Sequence, residues 1–374
     1  MGYVGLPTMV AVTEGGFSVT GIDLDEDRVA SINAGKSYVE DVPNEALAHL
    51  VSSNKLSATT DFEVVRNLDV VLVCVPTPIT KNKEPDLNPL EKAVSQLADH
   101  MSNDQLIVLQ STTFPGTTQE IVLPKLEQNG LQVGKDFHLA FALERIDPGN
   151  RIHMLHNVPK VVGGITPECS RIATNFFSAF VDKVIPVSSP KVAEMTKLLE
   201  NTFRSVNIAL VNELSMLCHR MDVDVWEVID AASSKPFGFM PFYPGPGVGG
   251  NCIPVDPFYL SWKAKEHDFY VNFIELAANI NSNMPHYTVS RVAEILSDNG
   301  TALSKAKILV LGVAFKENIS DTRNSPALRV MEILVERGAE VSYLDQNVPT
   351  VDLNGTTMSG LDSGLALTSE FDAV

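Results

Sequence analysis

The chain opens on a helical pattern of apolar residues that glycines interrupt. The segment Gly2–Pro7 starts an apolar run with helical spacing, and Gly15 and Gly16 end it. Residues Ser18–Ile22 then alternate apolar and polar positions, as a half-buried strand does, and Asp23 follows directly. The pattern therefore predicts a helix and then a strand that ends at a carboxylate.

Apolar runs recur at Asp69–Val75, Leu106–Gln110 and His138–Ala142, with helical stretches between them. This alternation is typical of a parallel sheet whose strands are joined by crossover helices. Ligands of such sheets bind at the carboxyl ends of the strands. The segments expected at that edge are Cys74–Pro78, Ser111–Thr117 and Leu143–Arg145.

The middle of the chain predicts two long helices. Ser188–Arg220 begins with a capping serine and a proline and then continues without further Gly or Pro. A second helical stretch covers Phe269–Ser297, where Pro285 is expected to kink the helix or divide it in two. Lys197 and Asn201 are four residues apart on the first helix, so both can point at the same small site.

The C-terminal part returns to alternating strands and helices. Lys307–Gly312 and Glu340–Leu344 are strand-like, and Ser325–Arg337 lies between them with helical spacing. We therefore predict an α/β protein, with two Rossmann-like parallel-sheet domains joined by a central domain of long helices. The domains are expected at residues 1–187, 188–300 and 301–374.

The composition is that of a globular protein. Of 374 residues, 44% are hydrophobic and 20% are charged, which suffices for two or three domains with their own cores. No apolar run approaches the ~18 residues of a membrane span, and no signal-peptide pattern is found, so we expect a cytoplasmic protein without membrane contact. The net charge of -18 argues against nucleic acid as a partner and favours a small molecule.

The cysteines predict neither a metal site nor a disulfide framework. They are Cys74, Cys169, Cys218 and Cys252, far apart and without a Cys-x-x-Cys pair. We expect free thiols, as in a reducing compartment, and no bound metal.

Gly2, Gly5 and Asp23 are spaced like the tail of a GxGxxG turn and the acidic residue that follows it. In that turn the second glycine admits the pyrophosphate, the third allows close helix packing, and the acidic residue binds the ribose hydroxyls. These three residues are therefore candidates for binding NAD. A glycine pair also occurs in ordinary turns, and the position of Asp23 at a strand end favours the dinucleotide interpretation.

The first strand and first glycine of such a fold would precede Met1. Because that strand lies in the middle of the sheet, we expect the N-terminal sheet to lack its central strand and the chain as given to bind NAD poorly. Val374 falls at the start of what resembles a further strand. We therefore expect both ends to be truncated.

The segment Tyr243–Pro257 carries the most specific chemistry. Its glycines allow backbone to approach a ligand closely, and it supplies the thiol of Cys252 and the carboxylate of Asp256. A thiolate can capture an aldehyde as a thiohemiacetal, while a carboxylate orders water or relays a proton. A buried, inert cysteine is the competing interpretation, because thiol reactivity depends on the surroundings of the sulfur.

The segment Lys235–Ala264 resembles the nucleotide-sugar 6-dehydrogenase family. It has Pro-Phe-Gly-Phe-Met-Pro-Phe-Tyr before the glycines and Asp-Pro-Phe-Tyr-Leu-Ser-Trp-Lys-Ala after them, and the resemblance extends from Gly2 to Val374. It is strongest to bacterial UDP-N-acetylhexosamine 6-dehydrogenases. The resemblance implies NAD as cofactor, a UDP-sugar as substrate, and oxidation of the C6 alcohol to an acid with Cys252 as nucleophile.

The same resemblance implies roles for residues elsewhere in the chain. Lys197 would steady an oxyanion or water, Asn201 would bind substrate, and Glu144 would be a carboxylate near the reacting carbon. The implied cofactor contacts are Arg28, Thr77, Thr112 and Arg323. The implied substrate contacts are Tyr243, Gly249, Gly250 and Lys316.

Ordinary structural roles remain open for these residues. Thr77 and Thr112 can cap turn backbone, and the cations can be solvated surface charges. Two positions also depart from the family pattern, since Asn251 stands where His is usual and Gln110 where Glu is common. Asparagine cannot titrate, so a proton relay at residue 251 is lost, although the wider family also tolerates Ser there.

The predicted function is NAD-dependent oxidation of a UDP-N-acetylhexosamine, with UDP-glucose as the alternative substrate. A single-hydride hydroxyacid dehydrogenase would share the fold but has no use for Cys252. A non-catalytic sugar-nucleotide-binding protein would need only the glycines and Lys316. We also expect a homodimer, since the family pairs its subunits through helices that correspond to the apolar stripe of Phe273, Leu276, Ala277 and Ile280.

Overall fold

The computed structural model describes residues 1–80, 82–150, 152–250, 253–364 and 370–374. The chain divides into two compact units, Met1–Leu199 and Glu200–Val374. Helix α7 (Pro190–Arg220) runs from the end of the first unit into the second.

The first unit is an α/β unit. Its strands are β1 (Val19–Ile22), β2 (Leu56–Thr59), β3 (Val70–Val73), β4 (Gln105–Leu109), β5 (Phe137–Ala142), β6 (Lys160–Gly164) and β7 (Val184–Val187). Its helices before α7 are α1 (Gly5–Glu14), α2 (Glu26–Asn33), α3 (Asn44–Ser52), α4 (Asn88–His100), α5 (Leu123–Leu126) and α6 (Pro167–Phe177).

Strands β3 to β7 form one five-stranded sheet in chain order, and β1 pairs with β2 in a separate parallel sheet. The pairs β3–β4, β4–β5 and β6–β7 are parallel, as predicted. The pair β5–β6 is antiparallel, which the sequence analysis did not anticipate. The segment from residue 143 to 159 makes this possible, because its described residues form no crossover helix of the kind that a parallel return requires.

Strand β4 is buried on both faces, which explains its unbroken run of apolar residues. Ile107 and Leu109 pack in one cluster with apolar residues of α4. Leu106 and Val108 pack in another cluster with Phe177 of α6. Because alternate strand residues point to opposite faces, helices cover both sides of the sheet and leave the strand ends to carry the site.

The second unit contains the remaining elements. Its helices after α7 are α8 (Val225–Ser233), α9 (Asp256–Ala264), α10 (Asn272–Asp298) and α11 (Pro326–Glu336). Its strands are β8 (Lys307–Leu311), β9 (Glu340–Leu344), β10 (Thr350–Leu353) and β11 (Thr356–Ser359). Strands β8 and β9 pair in parallel, and β10 and β11 form an antiparallel hairpin. Val289 and Leu296 of α10 share a core with Ile308 and Tyr343 of the parallel pair.

Helix α10 continues through Pro285, so of the two expected outcomes the division does not occur, and a kink at this residue stays a prediction. Proline lacks the amide that would bond the carbonyl of Asn281 one turn earlier. Gly247 lies over this position with φ of 133°, and a Cβ there would be 3.2 Å from the Asn281 carbonyl oxygen. The glycine-rich segment therefore packs against α10 at the turn where Pro285 cannot supply a backbone hydrogen bond.

Within the described ranges, no helix combines the length and the apolar character that a bilayer crossing requires.

Candidate active site

The loops after β3 and β4 are joined at the carboxyl edge of the five-stranded sheet. The Ser111 hydroxyl lies 2.8 Å from both the amide nitrogen and the carbonyl oxygen of Val75. The Thr77 hydroxyl donates to the carbonyl of Thr112 over 2.7 Å. The structure therefore brings together the two threonines predicted to contact the cofactor, and Thr77 bonds backbone as a turn hydroxyl does.

Glu144 follows β5 and is buried among hydrogen-bond donors. Its carboxylate accepts from Lys160 Nζ at 2.5 Å and from the backbone amides of Arg145 and Ile146 at 2.7 and 2.8 Å. Burial acts to raise the pKa of Glu144, but the Lys160 ammonium and these hydrogen bonds hold it below its ordinary value. Glu144 is therefore ionised at neutral pH and fixed in orientation.

Gln110 lies between Glu144 and the thiol of Cys74. Cys74 Sγ donates to Gln110 Oε1 over 3.1 Å, and Gln110 Nε2 is 3.4 Å from the Glu144 carboxylate. Burial, together with the Glu144 charge, raises the pKa of Cys74 to about 12, so this cysteine is no nucleophile at neutral pH. A glutamate in place of Gln110 would set its carboxylate beside that of Glu144, and the two negative charges would repel each other. The Gln110 amide instead donates to the Glu144 carboxylate.

The long helix α7 contributes Lys197 to this site. Lys197 Nζ donates to the carbonyl oxygen of Glu144 over 2.7 Å, and its side chain is half-buried. Lys197 is therefore not a solvated surface charge. The structure brings these two catalytic candidates together at the end of β5, although their catalytic roles stay predictions.

Two residues of this region escaped the sequence analysis. Lys160, the first residue of β6, is separated from Glu144 by 16 residues of sequence. Glu194 on α7 binds the turn at Gly116 and Thr118, which precedes it by 78 and 76 residues. For Lys160 the available signal was a charged residue directly before the apolar pair Val161 and Val162, whereas Glu194 lies among other polar residues of α7. Only the fold identifies the partners of either residue.

The predicted dinucleotide turn lies at the start of α1. Open space lies where a side chain would stand at Gly2 and at Gly5, as the close approach of a pyrophosphate requires. Asp23 follows β1, accepts a hydrogen bond from the Met1 amino group and lies 3.7 Å from Arg28 Nη1. These residues fit NAD, with glycines for the diphosphate and a carboxylate for the ribose.

In the second unit, the glycine-rich segment packs against the loop that follows β8. A Cβ at Gly249 would lie 2.5 Å from Phe315 Cβ, and one at Gly250 would lie 2.9 Å from the Phe315 ring. The Gly250 amide donates to the Arg323 carbonyl and its carbonyl accepts from Asn324 Nδ2, both over 3.0 Å. At these two positions the glycines admit the chain's own loop, and the predicted contact of Gly249 and Gly250 with substrate stays a prediction.

Hydrogen bonds from α7 hold both flanks of the predicted nucleophile segment. Asn201 Nδ2 donates over 2.5 Å to the carboxylate of buried Asp256, the first residue of α9. Asn212 accepts from the Gly245 amide over 3.0 Å and donates to Asn281 on α10 over 3.0 Å. The structure thus brings Asn201 and Asp256 together within the second unit.

The predicted nucleophile Cys252 and its neighbour Asn251 lie outside the described residues. Lys316 is half-buried in the loop after β8, directly after the Phe315 that packs on Gly250. Its contact with substrate stays a prediction.

Two other candidates bind neighbouring side chains. The Tyr243 hydroxyl donates to Asp230 over 3.0 Å, and its ring stacks on Trp226 with ring centroids 5.5 Å apart. Arg323 Nε donates to both carboxylate oxygens of Asp321 at 2.9 and 3.0 Å. The predicted ligand roles of Tyr243 and Arg323 are untested by these contacts.

Models of one protein family match most of the chain. Residues 1–181 match the NAD binding domain of the UDP-glucose/GDP-mannose dehydrogenase family. Residues 191–283 match its central domain, and residues 309–374 match its UDP binding domain.

Individual relatives agree with this family. The chain is 40% identical to Protein CapL of Staphylococcus aureus over 92% of this chain and 80% of that protein. It is 35% identical to UDP-N-acetyl-D-glucosamine 6-dehydrogenase of Pseudomonas aeruginosa over 94% and 82% of the two chains. The structure of UDP-D-ManNAc dehydrogenase from Pyrococcus horikoshii is similar, with a TM-score of 0.87 and 35% sequence identity. The match covers 93% of this chain and 82% of that chain.

The chain belongs to the UDP-glucose/GDP-mannose dehydrogenase family. It is an NAD-dependent oxidoreductase of nucleotide sugars, and its small-molecule ligand is a UDP-sugar. The predicted fold class, family and cofactor are thereby confirmed.

Proposed function

We propose that this protein oxidises the C6 alcohol of a UDP-N-acetylhexosamine to the carboxylate. Two of the relatives above are named for UDP-N-acetylglucosamine and for UDP-D-ManNAc, and each is 35% identical to this chain. UDP-glucose is the alternative substrate.

The proposed reaction consumes one sugar nucleotide, two NAD and one water, and yields the carboxylate, two NADH and three protons. NAD, when bound, accepts the hydride in each oxidation. Between the oxidations, the Cys252 thiolate adds to the C6 aldehyde and forms a thiohemiacetal. Loss of the second hydride leaves a thioester, which water cleaves to the acid and the free thiol.

Several of the predicted site residues have roles in this proposal. Lys197 keeps two N–H donors beyond the one bonded to Glu144, so it can steady the C6 oxygen as negative charge develops. Asp256, which Asn201 holds by a hydrogen bond, relays a proton or orders water for the reaction of Cys252. Glu144 orders the water that cleaves the thioester.

The observation that carries the proposal is the buried, ionised Glu144 with Lys197 on its carbonyl and Lys160 on its carboxylate. Thioester cleavage requires a water whose orientation is fixed. An ionised carboxylate that several donors hold in place can fix that water without itself moving.

The test is to supply UDP-N-acetylglucosamine, UDP-N-acetylmannosamine and UDP-glucose separately and to count NADH per sugar consumed. We expect an N-acetylhexosamine to be oxidised most efficiently, with two NADH per sugar. One NADH per sugar would contradict the covalent route and favour a single-hydride dehydrogenase. Preference for UDP-glucose would overturn the proposed substrate but not the reaction.

We propose that the protein acts as a homodimer. Phe203, Leu210, Leu214 and Leu217 follow one another on a face of α7 at spacings of seven, four and three, and each is 40% to 52% exposed. Of the stripe predicted on α10, Phe273 and Leu276 are exposed, whereas Ala277 is buried and Ile280 is half-buried. Apolar side chains in such a row are typical of a helix that packs against a partner, and a second copy supplies an identical row.

We propose the cytoplasm as its compartment. Cys74, Cys169 and Cys218 are free thiols, as is usual for proteins of a reducing environment.

A further inference from the structure

Glu194 is a buried carboxylate whose hydrogen bonds all converge on one turn. It lies near the start of α7, and its side chain is 1% exposed. One oxygen accepts from the Gly116 amide at 2.5 Å, and the other accepts from the Thr118 amide at 2.9 Å and the Thr118 hydroxyl at 2.6 Å. Both carboxylate oxygens are therefore needed as acceptors.

This arrangement is costly for the folded state. Burial raises the pKa of Glu194 although three hydrogen bonds favour its ionised form. In the described part of the chain, no cation lies within ion-pair distance of this carboxylate. An apolar side chain would avoid this cost. We therefore attribute the presence of the carboxylate to the conformation that its hydrogen bonds impose on the turn at Gly116 and Thr118.

The turn that Glu194 holds continues from the loop predicted to contact NAD. Thr112 lies four residues before Gly116, and its carbonyl accepts from Thr77. Gly116 has φ of 107°, a conformation that other residues rarely adopt. The loop is thus bound at one end to the β3 loop and at the other to α7.

Three residues after Glu194, the same helix holds Glu144 through Lys197. The first turns of α7 therefore bind the loops at the ends of two neighbouring strands, β4 and β5. A shift of this helix segment would move both loops together.

We propose that Glu194 is a positioning residue that holds the Ser111–Thr118 loop in the conformation that binds NAD. This inference rests on the proposed function for the identity of the loop as a cofactor loop. Glu194 itself is bonded to the loop and has no role in the chemical steps.

The experiment compares Glu194→Gln and Thr118→Val with the wild-type protein. Glutamine replaces one acceptor oxygen by a donor that faces an N–H group, whereas valine removes only the hydroxyl and leaves both backbone bonds. We expect the Kd for NAD, measured by calorimetric titration without sugar, to rise about tenfold in Glu194→Gln and about threefold in Thr118→Val. Glu45→Gln, the same change at an exposed helical position, is the control and should leave the Kd unchanged.

Hydrogen exchange gives a readout that does not depend on activity. The amides of residues 116–118 should exchange faster in Glu194→Gln, while those of β4 stay protected. In turnover assays, the KM for NAD should rise and the KM for the UDP-sugar should stay within twofold. A lower active fraction with both KM values and the NAD Kd unchanged would reduce Glu194 to a structural role and overturn the inference.

The proposed function can be wrong while the inference about Glu194 is right. If the wild-type protein oxidised none of the UDP-sugars, the proposed function would be wrong, and NAD titration and hydrogen exchange would still decide whether Glu194 holds the loop. An unchanged NAD Kd in both variants of an active, folded protein would contradict the inference alone.

Discussion

Glu144 acquires its properties from residues that are distant in sequence. Its burial alone would favour the protonated acid, and the charge of Lys160 reverses this preference. The pair is almost inaccessible to solvent, with side-chain exposures of 6% for Lys160 and 10% for Glu144. A buried ion pair of this kind loses much of its stability when one partner is removed.

Replacing Lys160 by Met tests this dependence. Without the ammonium, burial should raise the pKa of Glu144, so the acidic limb of the kcat profile should move to higher pH. The unpaired carboxylate should also lower the free energy of unfolding by roughly 3–5 kcal/mol at neutral pH. The measurements are the pH dependence of kcat and urea unfolding.

Two control variants test whether the effect of Lys160→Met comes from losing the cation beside Glu144. Lys160→Arg keeps a cation and should largely retain the wild-type profile. Lys191→Met removes an exposed lysine and should change neither quantity. An acidic limb that stayed in place in Lys160→Met would show that Glu144 does not govern the rate.

At the residue scale, sequence reasoning found side chains but not their partners. The sequence identifies Glu144 and Lys197 as separate candidates, and only the fold reveals that the lysine binds the carbonyl of the glutamate. Asn201 and Asp256 were likewise separate candidates until the structure joined them. Such pairs depend on how distant segments pack, which local patterns do not encode.

Among the elements, β9 is followed directly by an acidic residue, Asp345, as β1 is followed by Asp23, but the two carboxylates have different partners. The Asp345 carboxylate accepts from the amides of Val313 and Ala314 at 2.8 and 3.3 Å and from that of Asn347 at 2.8 Å. It therefore fixes the start of the loop that carries Lys316. Burial acts to raise the pKa of Asp345, but these hydrogen bonds lower it below its ordinary value.

Asp345→Asn should remove a pH-dependent part of the stability. Because the folded pKa lies below the ordinary value of 3.8, the ionised carboxylate stabilises the fold above that pH, and this contribution disappears as the pH falls through the folded pKa. Urea unfolding should give a difference between wild type and variant of about 1 kcal/mol at pH 7. The difference should shrink as the pH falls below about 4. A difference independent of pH would contradict this account.

The pattern of apolar residues predicted strands β3, β4, β5, β8 and β9 and helix α7 within a few residues. It left open or missed outcomes that depend on tertiary packing. Whether Pro285 kinks α10 or divides it is one such outcome, and the helix is continuous. The antiparallel β5–β6 pair also depends on the path of the chain between the strands, which hydrophobic periodicity does not specify.

For the whole molecule, the exposed apolar row on α7 leads to a prediction about assembly. Wild-type protein should have twice the chain mass of 40.7 kDa by size-exclusion chromatography with light scattering. The double variant Leu210→Asp, Leu214→Asp should shift towards the single-chain mass, because it buries two charges in the proposed interface. Leu24→Asp, at an exposed leucine outside that row, is the control. A wild-type mass equal to that of one chain would contradict the proposed homodimer.

The central claim is that Cys252 forms a covalent bond with the oxidised C6 carbon. The most direct measurement is the rate of acid formation by Cys252→Ala, compared with Cys218→Ala as a control at a half-buried free thiol. We expect Cys252→Ala to lose acid formation by about a thousandfold or more, while Cys218→Ala stays near wild type. Acid formation by Cys252→Ala at the wild-type rate would contradict the account.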